Sequence, residues 1–238
     1  MQQGYRVKVS TRNQAKRSQL AQADFDSFVV NIDQMPATIS TFLQANTLII
    51  NITNKNIDSF KALIAMIQQS PVKQVLFVSS SSVYQNLNRE VSEDETAENP
   101  DSVLFQIENL FKQEKSFATT ILRFSGLIGP DRHPGRFFRN GKTVKQADAP
   151  VNLIHLDDCV GTIDAILKQS AWQQTFNGCA DTHPTKRQFY THMARLANMP
   201  VPEFADYDSL SYKIVSNQKI KTQLHYHFRH PDLMNIVF

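Results

Sequence analysis

Four consecutive serines stand directly after an apolar run, and their hydroxyls could polarise or bind a ligand. The run is Val75–Val78, the serines are Ser79–Ser82, and Val83 and Tyr84 follow. An uninterrupted apolar run is typical of a buried parallel strand covered on both faces by helices. Ligands of open parallel sheets bind just beyond the carboxyl ends of strands. We therefore predict that the serines end the strand and line a ligand crevice; an ordinary polar loop is the alternative.

The first half of the chain alternates between predicted strands and helices. The clearest helix is Ile57–Gln69, whose apolar residues recur every three or four positions before Pro71. The alternation argues for βαβ units and a parallel sheet. The other predicted strands are Tyr5–Ser10, Phe28–Val30, Leu48–Ile52 and Thr119–Phe124, and the other helices are Gln14–Ala23 and Ser102–Lys115.

The second half of the chain is richer in loops. Asp131–Pro150 has the composition of a loop insertion. Asn152–His155 is a predicted short strand, and Asp157 or Asp158 is predicted to cap the helix that follows. The remaining predicted elements are a strand at Thr175–Asn177, a helix at Pro184–Met199 and a last short helix capped by Ser216 or Asn217.

Composition limits the classes of function. The chain has 238 residues, of which 41% are hydrophobic and 20% charged, and these fractions are ordinary for a globular protein. A net charge of +3 gives no case for nucleic acid or membrane binding. Cys159 and Cys179 have no metal or redox spacing, so we expect two buried free thiols and a cytoplasmic location.

Several short motifs give the chain a family resemblance. It resembles the extended and atypical short-chain dehydrogenase/reductases, of the NAD-dependent epimerase/dehydratase or nucleoside-diphosphate-sugar epimerase type. The resemblance covers almost the whole chain. The motifs are LFVSSSSVY at 76–84, the acidic loop with Glu93 and Glu95, RFSGLIGP at 123–130, RHPGRFF at 132–138, VNLIHLDD at 151–158, TFNGCA at 175–180 and KIVSNQKI at 213–220.

The resemblance implies a fold class and a division into domains. The fold is an α/β, Rossmann-like, doubly wound parallel sheet with a small C-terminal lobe. An NAD(P)-binding region is expected over residues 1–128, with 151–180 returning to it. Residues 129–150 and 181–238 are expected to form the smaller, substrate-side lobe.

The family's glycine-rich phosphate loop has no counterpart here. Only Gly4 precedes Gly126, so no G-x-G-x-x-G motif occurs in the first half of the chain. Residues 1–7 resemble the end of the family's first helix and the start of its second strand. The first strand, which would lie between Arg6–Ser10 and Leu48–Ile52, is therefore expected to be lacking. Either the sequence is truncated or misstarted, or those two strands pair in a rearranged sheet; an isolated chain should then bind dinucleotide weakly.

The family's catalytic tyrosine and lysine are also missing. The Tyr exchanges a proton with a substrate oxygen, a Lys four residues later lowers its pKa, and a Ser binds the same oxygen. Ser80 matches that Ser and is the predicted catalytic residue. No tyrosine stands between Tyr84 and Tyr190, and Tyr84 matches a structural tyrosine. The chain is thus predicted to be an oxidoreductase or epimerase-like protein with impaired activity, or else a non-catalytic ligand-binding regulatory protein or remnant.

The resemblance also implies which residues contact a cofactor. Hydroxyls and an arginine after the second strand suit the 2′-phosphate of NADP, whereas NAD favours an acidic residue there. If a cofactor binds, NADP is therefore favoured over NAD. The alternative for Ser10–Arg12 is a solvated turn, and the alternative for Asn51–Thr53 is an ordinary strand-to-helix turn. The predicted cofactor contacts are Ser10, Thr11, Arg12, Asn51, Ile52, Thr53, Ser79, Phe124 and Ser125.

A small-molecule substrate is expected on the other side of the crevice. The implied contacts are Ser81, His133, Arg136 and Asn152. The basic residues Arg132, Arg136 and Arg139 suit an anionic or nucleotide-linked substrate, and a solvated basic loop is the alternative.

Two further expectations concern histidines and assembly. His155 is predicted to be a packed strand-end histidine. His225, His227 and His230 alternate, but no acidic residue or cysteine is close to them in sequence, so no metal site is predicted. The resemblance implies a homodimer formed through helices such as Ile57–Gln69 and Ser102–Lys115.

Overall fold

The computed structural model describes residues 4–138, 141–205, 209–236 and 238. Contacts divide the chain into two compact units. The first contains residues 1–77 and 106–119, and the second contains residues 78–105 and 120–238. Arg139 and residues 1–3, which entered the sequence-based predictions, lie outside the described residues. The predicted domain division remains a prediction.

The elements alternate between strands and helices, and the strands pair in parallel. The predicted α/β class with a parallel sheet is confirmed. No helix among the described residues is long and apolar enough to span a membrane. The strands are β1 (Lys8–Thr11), β2 (Asp26–Val29), β3 (Thr47–Ile50), β4 (Gln74–Ser80), β5 (Glu90–Val91), β6 (Ala118–Phe124), β7 (Gly126–Ile128), β8 (Leu153–His155), β9 (Thr175–Gly178) and β10 (Ile214–Val215). The helices are α1 (Gln14–Gln22), α2 (Ile39–Phe42), α3 (Ile57–Gln68), α4 (Val103–Gln113), α5 (Leu156–Lys168), α6 (Lys186–Leu196) and α7 (Gln218–Gln223).

The first unit contains two separate parallel strand pairs. Strand β1 pairs with β2, and β3 pairs with β4 in a register that places Ile50 opposite Phe77. Within the described residues β1 and β3 belong to different sheets. The predicted alternative of direct pairing between these two strands is therefore wrong.

An aromatic core holds the first unit together. The Phe77 ring stacks on Phe111 with centroids 5.0 Å apart, and Phe60 meets both rings edge-on. Phe60 lies on the apolar face of α3, and Asn56 caps this helix by accepting hydrogen bonds from the first-turn backbone. Amphipathic spacing and capping thus explain why the predicted helix at Ile57–Gln69 forms with almost the same bounds.

The second unit contains three parallel strand pairs. Strand β6 pairs with β9, β7 with β8, and β10 with β5. Strand β7 was not predicted, because Gly126–Ile128 is only three residues long and begins with glycine. Its register places Ile128 opposite His155, so the loop after β6 is anchored at the carboxyl end of β8.

The predicted end of the serine strand is wrong by two residues. Strand β4 continues through Ser79 and Ser80, and a 3₁₀ turn covers Ser81–Val83. A small side chain fits the buried position of Ser79, so a serine does not force the strand to stop. The Ser80 hydroxyl instead caps the turn by accepting the Ser82 N–H at 3.1 Å.

The predicted cap of α5 is also wrong. His155, rather than Asp157 or Asp158, occupies the cap position, and its Nδ1 accepts the Asp157 N–H at 3.2 Å. A cap residue needs extended backbone angles, and His155 has them because it ends β8. Both aspartates fall in the first helical turn instead, where they complement the helix dipole.

Candidate functional site

Two predicted residues, Ser81 and Ser125, meet just beyond the carboxyl ends of β4 and β6 in the second unit. The hydroxyls of Ser81 and Ser125 lie 3.3 Å apart, and both residues are buried with Ser79. Ser80 is partly exposed and its oxygen accepts the Ser82 N–H. Within the described residues its hydroxyl hydrogen has no acceptor, so Ser80 can donate to a ligand oxygen.

Phe124 and Ser125 are fixed by the neighbouring strand β9. The Phe124 ring packs so closely on Gly178 that an added Cβ would lie 2.6 Å from the ring. The Ser125 N–H donates to the Gly178 carbonyl at 2.9 Å. Phe124 is buried, so its ring serves packing and only its backbone can meet a ligand.

The Tyr84 hydroxyl is committed to a buried network. It donates to Asn177 Oδ1 at 2.9 Å and accepts from Arg123 at 2.7 Å. Burial raises the pKa of Tyr84 well above its ordinary value, an effect that Arg123 opposes. A hydroxyl with both roles occupied and a raised pKa is unsuited to exchanging a proton with a substrate.

Arg123 is the charged centre of this network, and sequence reasoning gave it no role. It is fully buried, bonds Glu98 at 2.6 Å and lies over the Tyr84 ring at 4.8 Å from the centroid. The signal was a charged residue in the otherwise uncharged run of β6, since buried charge requires a partner. Its partners lie far away in sequence, so the pairing itself was not readable.

Asn152 has both ends of its side-chain amide bound to backbone. Its Nδ2 donates to the Lys213 carbonyl at 2.9 Å, and its Oδ1 accepts the Val215 N–H at 2.8 Å. Lys213 in turn donates from Nζ to the Tyr84 carbonyl at 2.8 Å, and burial lowers the pKa of this lysine. Asn152 therefore anchors the segment that carries β10, and Lys213 is a cation near the serine turn that sequence reasoning missed.

His133 caps a 3₁₀ turn over Pro134–Arg136, and Arg136 is the last residue of that turn. His133 Nδ1 accepts the Gly135 N–H at 3.0 Å, and burial lowers the pKa of His133. Arg136 is exposed. Arg132 donates to the Leu127 carbonyl at 2.8 Å, so it helps hold the loop. Arg136 is therefore better placed than Arg132 to meet an anion.

The remaining predicted cofactor residues lie in the first unit. Thr11 Oγ1 accepts the Asn13 N–H at 3.2 Å, Ser10 is an exposed residue within β1, and Arg12 is exposed directly after that strand. Asn51, Ile52 and Thr53 are exposed after β3. Arg12 and the group Asn51–Thr53 thus follow the carboxyl ends of strands β1 and β3, where ligand-facing loops of parallel sheets are expected.

Asp33 is a further polar residue of the first unit that sequence reasoning missed. Its carboxylate accepts Ser59 Oγ at 2.6 Å and Asn54 Nδ2 at 2.8 and 2.9 Å. Bonds from Ser59 and Asn54 lower the pKa of Asp33, and the Arg12 guanidinium adds a smaller effect in the same direction. The signal was an acidic residue soon after a predicted strand.

A polar cluster lies at the carboxyl end of β8. As predicted, His155 is buried. The centroids of its ring and of the His230 ring lie 3.9 Å apart. Burial lowers the pKa of His155, with a smaller effect from His230. Asp158 is fully buried beneath the cluster and accepts hydrogen bonds from Tyr226, Arg229 and His230.

Among curated proteins, the chain is similar to Protein YeeZ from two strains of Escherichia coli. The chain is 36% identical over 165 residues to Protein YeeZ of Escherichia coli K12. The match covers 68% of this chain and 60% of YeeZ, so the chain spans less than two thirds of that relative. No protein-family model matches the chain.

Solved structures share the fold at lower sequence identity. A functionally unknown conserved protein from Silicibacter pomeroyi has a TM-score of 0.80 at 18% identity, covering 98% of this chain and 88% of that one. MoeE5 in complex with UDP-glucose and NAD has a TM-score of 0.76 at 16% identity, with coverages of 96% and 87%. A Methylobacillus flagellatus structure, provisionally described as an NAD-dependent epimerase/dehydratase, has a TM-score of 0.73 at 20% identity, with coverages of 88% and 81%. The chain therefore has the fold of the extended short-chain dehydrogenase/reductases, of the epimerase/dehydratase type.

Proposed function

We propose that this chain is an NAD(P)-binding protein of the epimerase/dehydratase type, with Ser80 polarising a substrate oxygen. The observation that carries the proposal is the Ser80 hydroxyl, which directly precedes the buried Ser81 in sequence and whose hydrogen has no acceptor among the described residues. Hydroxyls beyond the carboxyl ends of parallel strands occupy the usual ligand position of such sheets. The MoeE5 complex, which holds NAD and UDP-glucose on a similar fold, supports this class of ligand.

NADP is the favoured cofactor in this proposal. Arg12 is exposed after β1, and a guanidinium suits a 2′-phosphate through charge-assisted hydrogen bonds. The first half has no glycine-rich phosphate loop, because Gly4 is the only glycine before Gly126. We therefore expect weak dinucleotide binding by this chain, with NADPH preferred over NADH.

The substrate in this proposal is a small anionic or nucleotide-linked molecule. Arg136 is exposed in the turn that His133 caps and is free of the hydrogen bond that holds Arg132 to the loop.

We also include a homodimer through α3 and α4, because Ile64, Ala65 and Leu110 line a shallow groove between them. Light scattering behind a sizing column tests the dimer.

A non-catalytic ligand-binding role is the second candidate. The observation that favours it is the Tyr84 hydroxyl, which Arg123 and Asn177 occupy fully. No other tyrosine stands between Tyr84 and Tyr190, so that stretch offers no second tyrosine as the family's proton donor.

Fluorescence titration with NADPH and NADH, followed by assays on nucleoside-diphosphate sugars, tests the proposal. Ser80→Ala should leave NADPH affinity unchanged but lower turnover by about 100-fold or more, the usual size of a lost hydrogen-bond donor to a reacting oxygen. Ser82→Ala is the matched control, because Ser82 is exposed and only its backbone N–H is engaged.

The outcomes separate the two candidates. Saturable NADPH binding with turnover that depends on Ser80 supports the enzyme. Binding without turnover supports the regulatory or remnant role. A folded chain that binds neither NADPH nor NADH would remove the oxidoreductase proposal.

A further inference from the structure

Three side chains with metal-binding atoms converge at the start of α5. His155, Asp157 and His230 each offer one ligand atom, and these atoms lie within 4.8 Å of one another. Asp157 Oδ2 is 3.2 Å from His230 Nε2 and 3.5 Å from His155 Nδ1. We propose that these residues form a binding site for a divalent transition metal of the zinc class. This site is independent of the nucleotide-binding function proposed above.

The separations fit tetrahedral coordination. Zinc binds imidazole nitrogen and carboxylate oxygen at about 2.0–2.2 Å, so neighbouring ligand atoms of a tetrahedron stand roughly 3.4 Å apart. The two short separations around Asp157 already have that length. The two imidazole ligand atoms, which lie within 4.8 Å of each other, would close to the same spacing around an ion, and a metal on His155 Nδ1 would replace the long bond from the Asp157 N–H.

Rigid parts of the second unit carry all three ligands. His155 ends β8, and Asp157 lies in the first turn of α5. The backbone of His230 is held by Asp158, because the His230 N–H donates to Asp158 Oδ2 at 3.0 Å. Asp158 also accepts the Arg229 N–H at 2.7 Å, so a buried carboxylate fixes the segment that delivers the third ligand. Such support around the ligands is what a metal site requires.

The ligand set and its exposure determine the kind of metal. Two imidazoles and one carboxylate suit Zn²⁺ and similar ions, whereas Mg²⁺ and Ca²⁺ prefer sites made entirely of oxygen. The His155 side chain is 5% exposed, that of His230 25% and that of Asp157 51%. The open side at Asp157 gives the ion a path in and leaves a fourth position for water or a ligand oxygen.

Metal titration of the full chain tests the proposal. After removal of metal with a chelator, ZnCl₂ is titrated by calorimetry and CoCl₂ by its visible absorption. We expect one equivalent to bind with micromolar or tighter affinity and intense tetrahedral Co²⁺ bands. His230→Ala and Asp157→Asn should each weaken zinc binding by about 10- to 100-fold or more, a loss at least as large as that of an outer-shell partner. His155 is left intact, because it also caps α5.

His227→Ala is the matched control. His227 is exposed in the same segment and stands outside the cluster, so its loss should leave zinc affinity unchanged. Circular dichroism checks that each variant is folded, and His230→Gln replaces His230→Ala if the alanine variant is not. Millimolar zinc affinity of the natural chain, or equal affinity in the folded His230 and Asp157 variants, would overturn the proposal.

Discussion

Arg123 places a full positive charge inside the second unit, and Glu98 balances it at 2.6 Å. Tyr84 and Asn177 extend the pair into a hydrogen-bonded network. The network lies directly after the serine turn, since Tyr84 follows the turn in sequence. The network therefore holds the residue that follows the turn in place.

Removing the arginine alone should be costly. In Arg123→Met the Glu98 carboxylate loses its charged partner, and we expect a loss of about 3 kcal/mol in the free energy of unfolding. Urea denaturation measures it. The double variant with Glu98→Gln should recover at least ~1 kcal/mol, because no charge is then left unpaired. A double variant less stable than Arg123→Met would contradict this account.

Glu93 should make stability depend on pH in the opposite direction to most carboxylates. Burial raises the pKa of Glu93 above its ordinary value, although the Asn177 N–H donates to it at 2.7 Å. The folded state therefore favours the protonated acid. Its contribution to stability is complete below the unfolded pKa of about 4.3 and is lost as the pH rises through the folded pKa.

Glu93→Gln tests this sign. The glutamine oxygen can still accept the Asn177 N–H, but it carries no charge. We expect the variant to unfold at a higher temperature than the natural chain at pH 7, with the difference shrinking towards pH 4. If Glu93→Gln instead unfolds at a lower temperature than the natural chain at pH 7, and this deficit shrinks towards pH 4, then ionised Glu93 is stabilising.

At the scale of elements, the 3₁₀ turn at Pro134–Arg136 depends on close contact with α6. A Cβ added to Gly135 would lie 2.4 Å from the Met193 carbonyl oxygen, and a helix backbone cannot yield as a side chain can. This contact fixes His133, whose Nδ1 caps the same turn. The geometry of the predicted substrate loop is therefore set by packing against a helix.

Gly135→Ala should displace the turn from α6. We expect a loss of about 1–3 kcal/mol, the usual cost of an added methyl group in a close-packed contact. Thermal denaturation measures the loss, with Arg136→Ala as the exposed control expected to change stability by less than about 0.5 kcal/mol. An unchanged melting temperature in Gly135→Ala would mean that the turn is not held by this contact.

At the scale of the whole molecule, periodic patterns were predictable from the sequence. The helix predicted at Ile57–Gln69 forms at Ile57–Gln68, and the strand predicted at Thr119–Phe124 forms at Ala118–Phe124. Burial of apolar residues at regular spacing determines such elements, and spacing is visible in a sequence. The two cysteines are buried and free as expected.

Features that depend on tertiary contacts were not predictable. The cap of α5 was assigned to the aspartates, because the backbone angles that favour His155 come from its place in β8. His230 was considered with His225 and His227, its neighbours in sequence, yet its ring meets His155, 75 residues earlier. Pairings of this kind are decided by the fold, so one sequence cannot reveal them.

The two hydrogen bonds of the Asn152 side-chain amide have a consequence for the order of folding. They dock the segment of β10, which also joins β5 and places Lys213 on the Tyr84 carbonyl, 129 residues away in sequence. Closing so long a loop is entropically costly before neighbouring contacts exist, so we expect this segment to dock late. Pulsed hydrogen exchange should then protect the Val215 amide after those of β6. During synthesis, the surroundings of the serine turn would be completed only after the segment of β10 had left the ribosome.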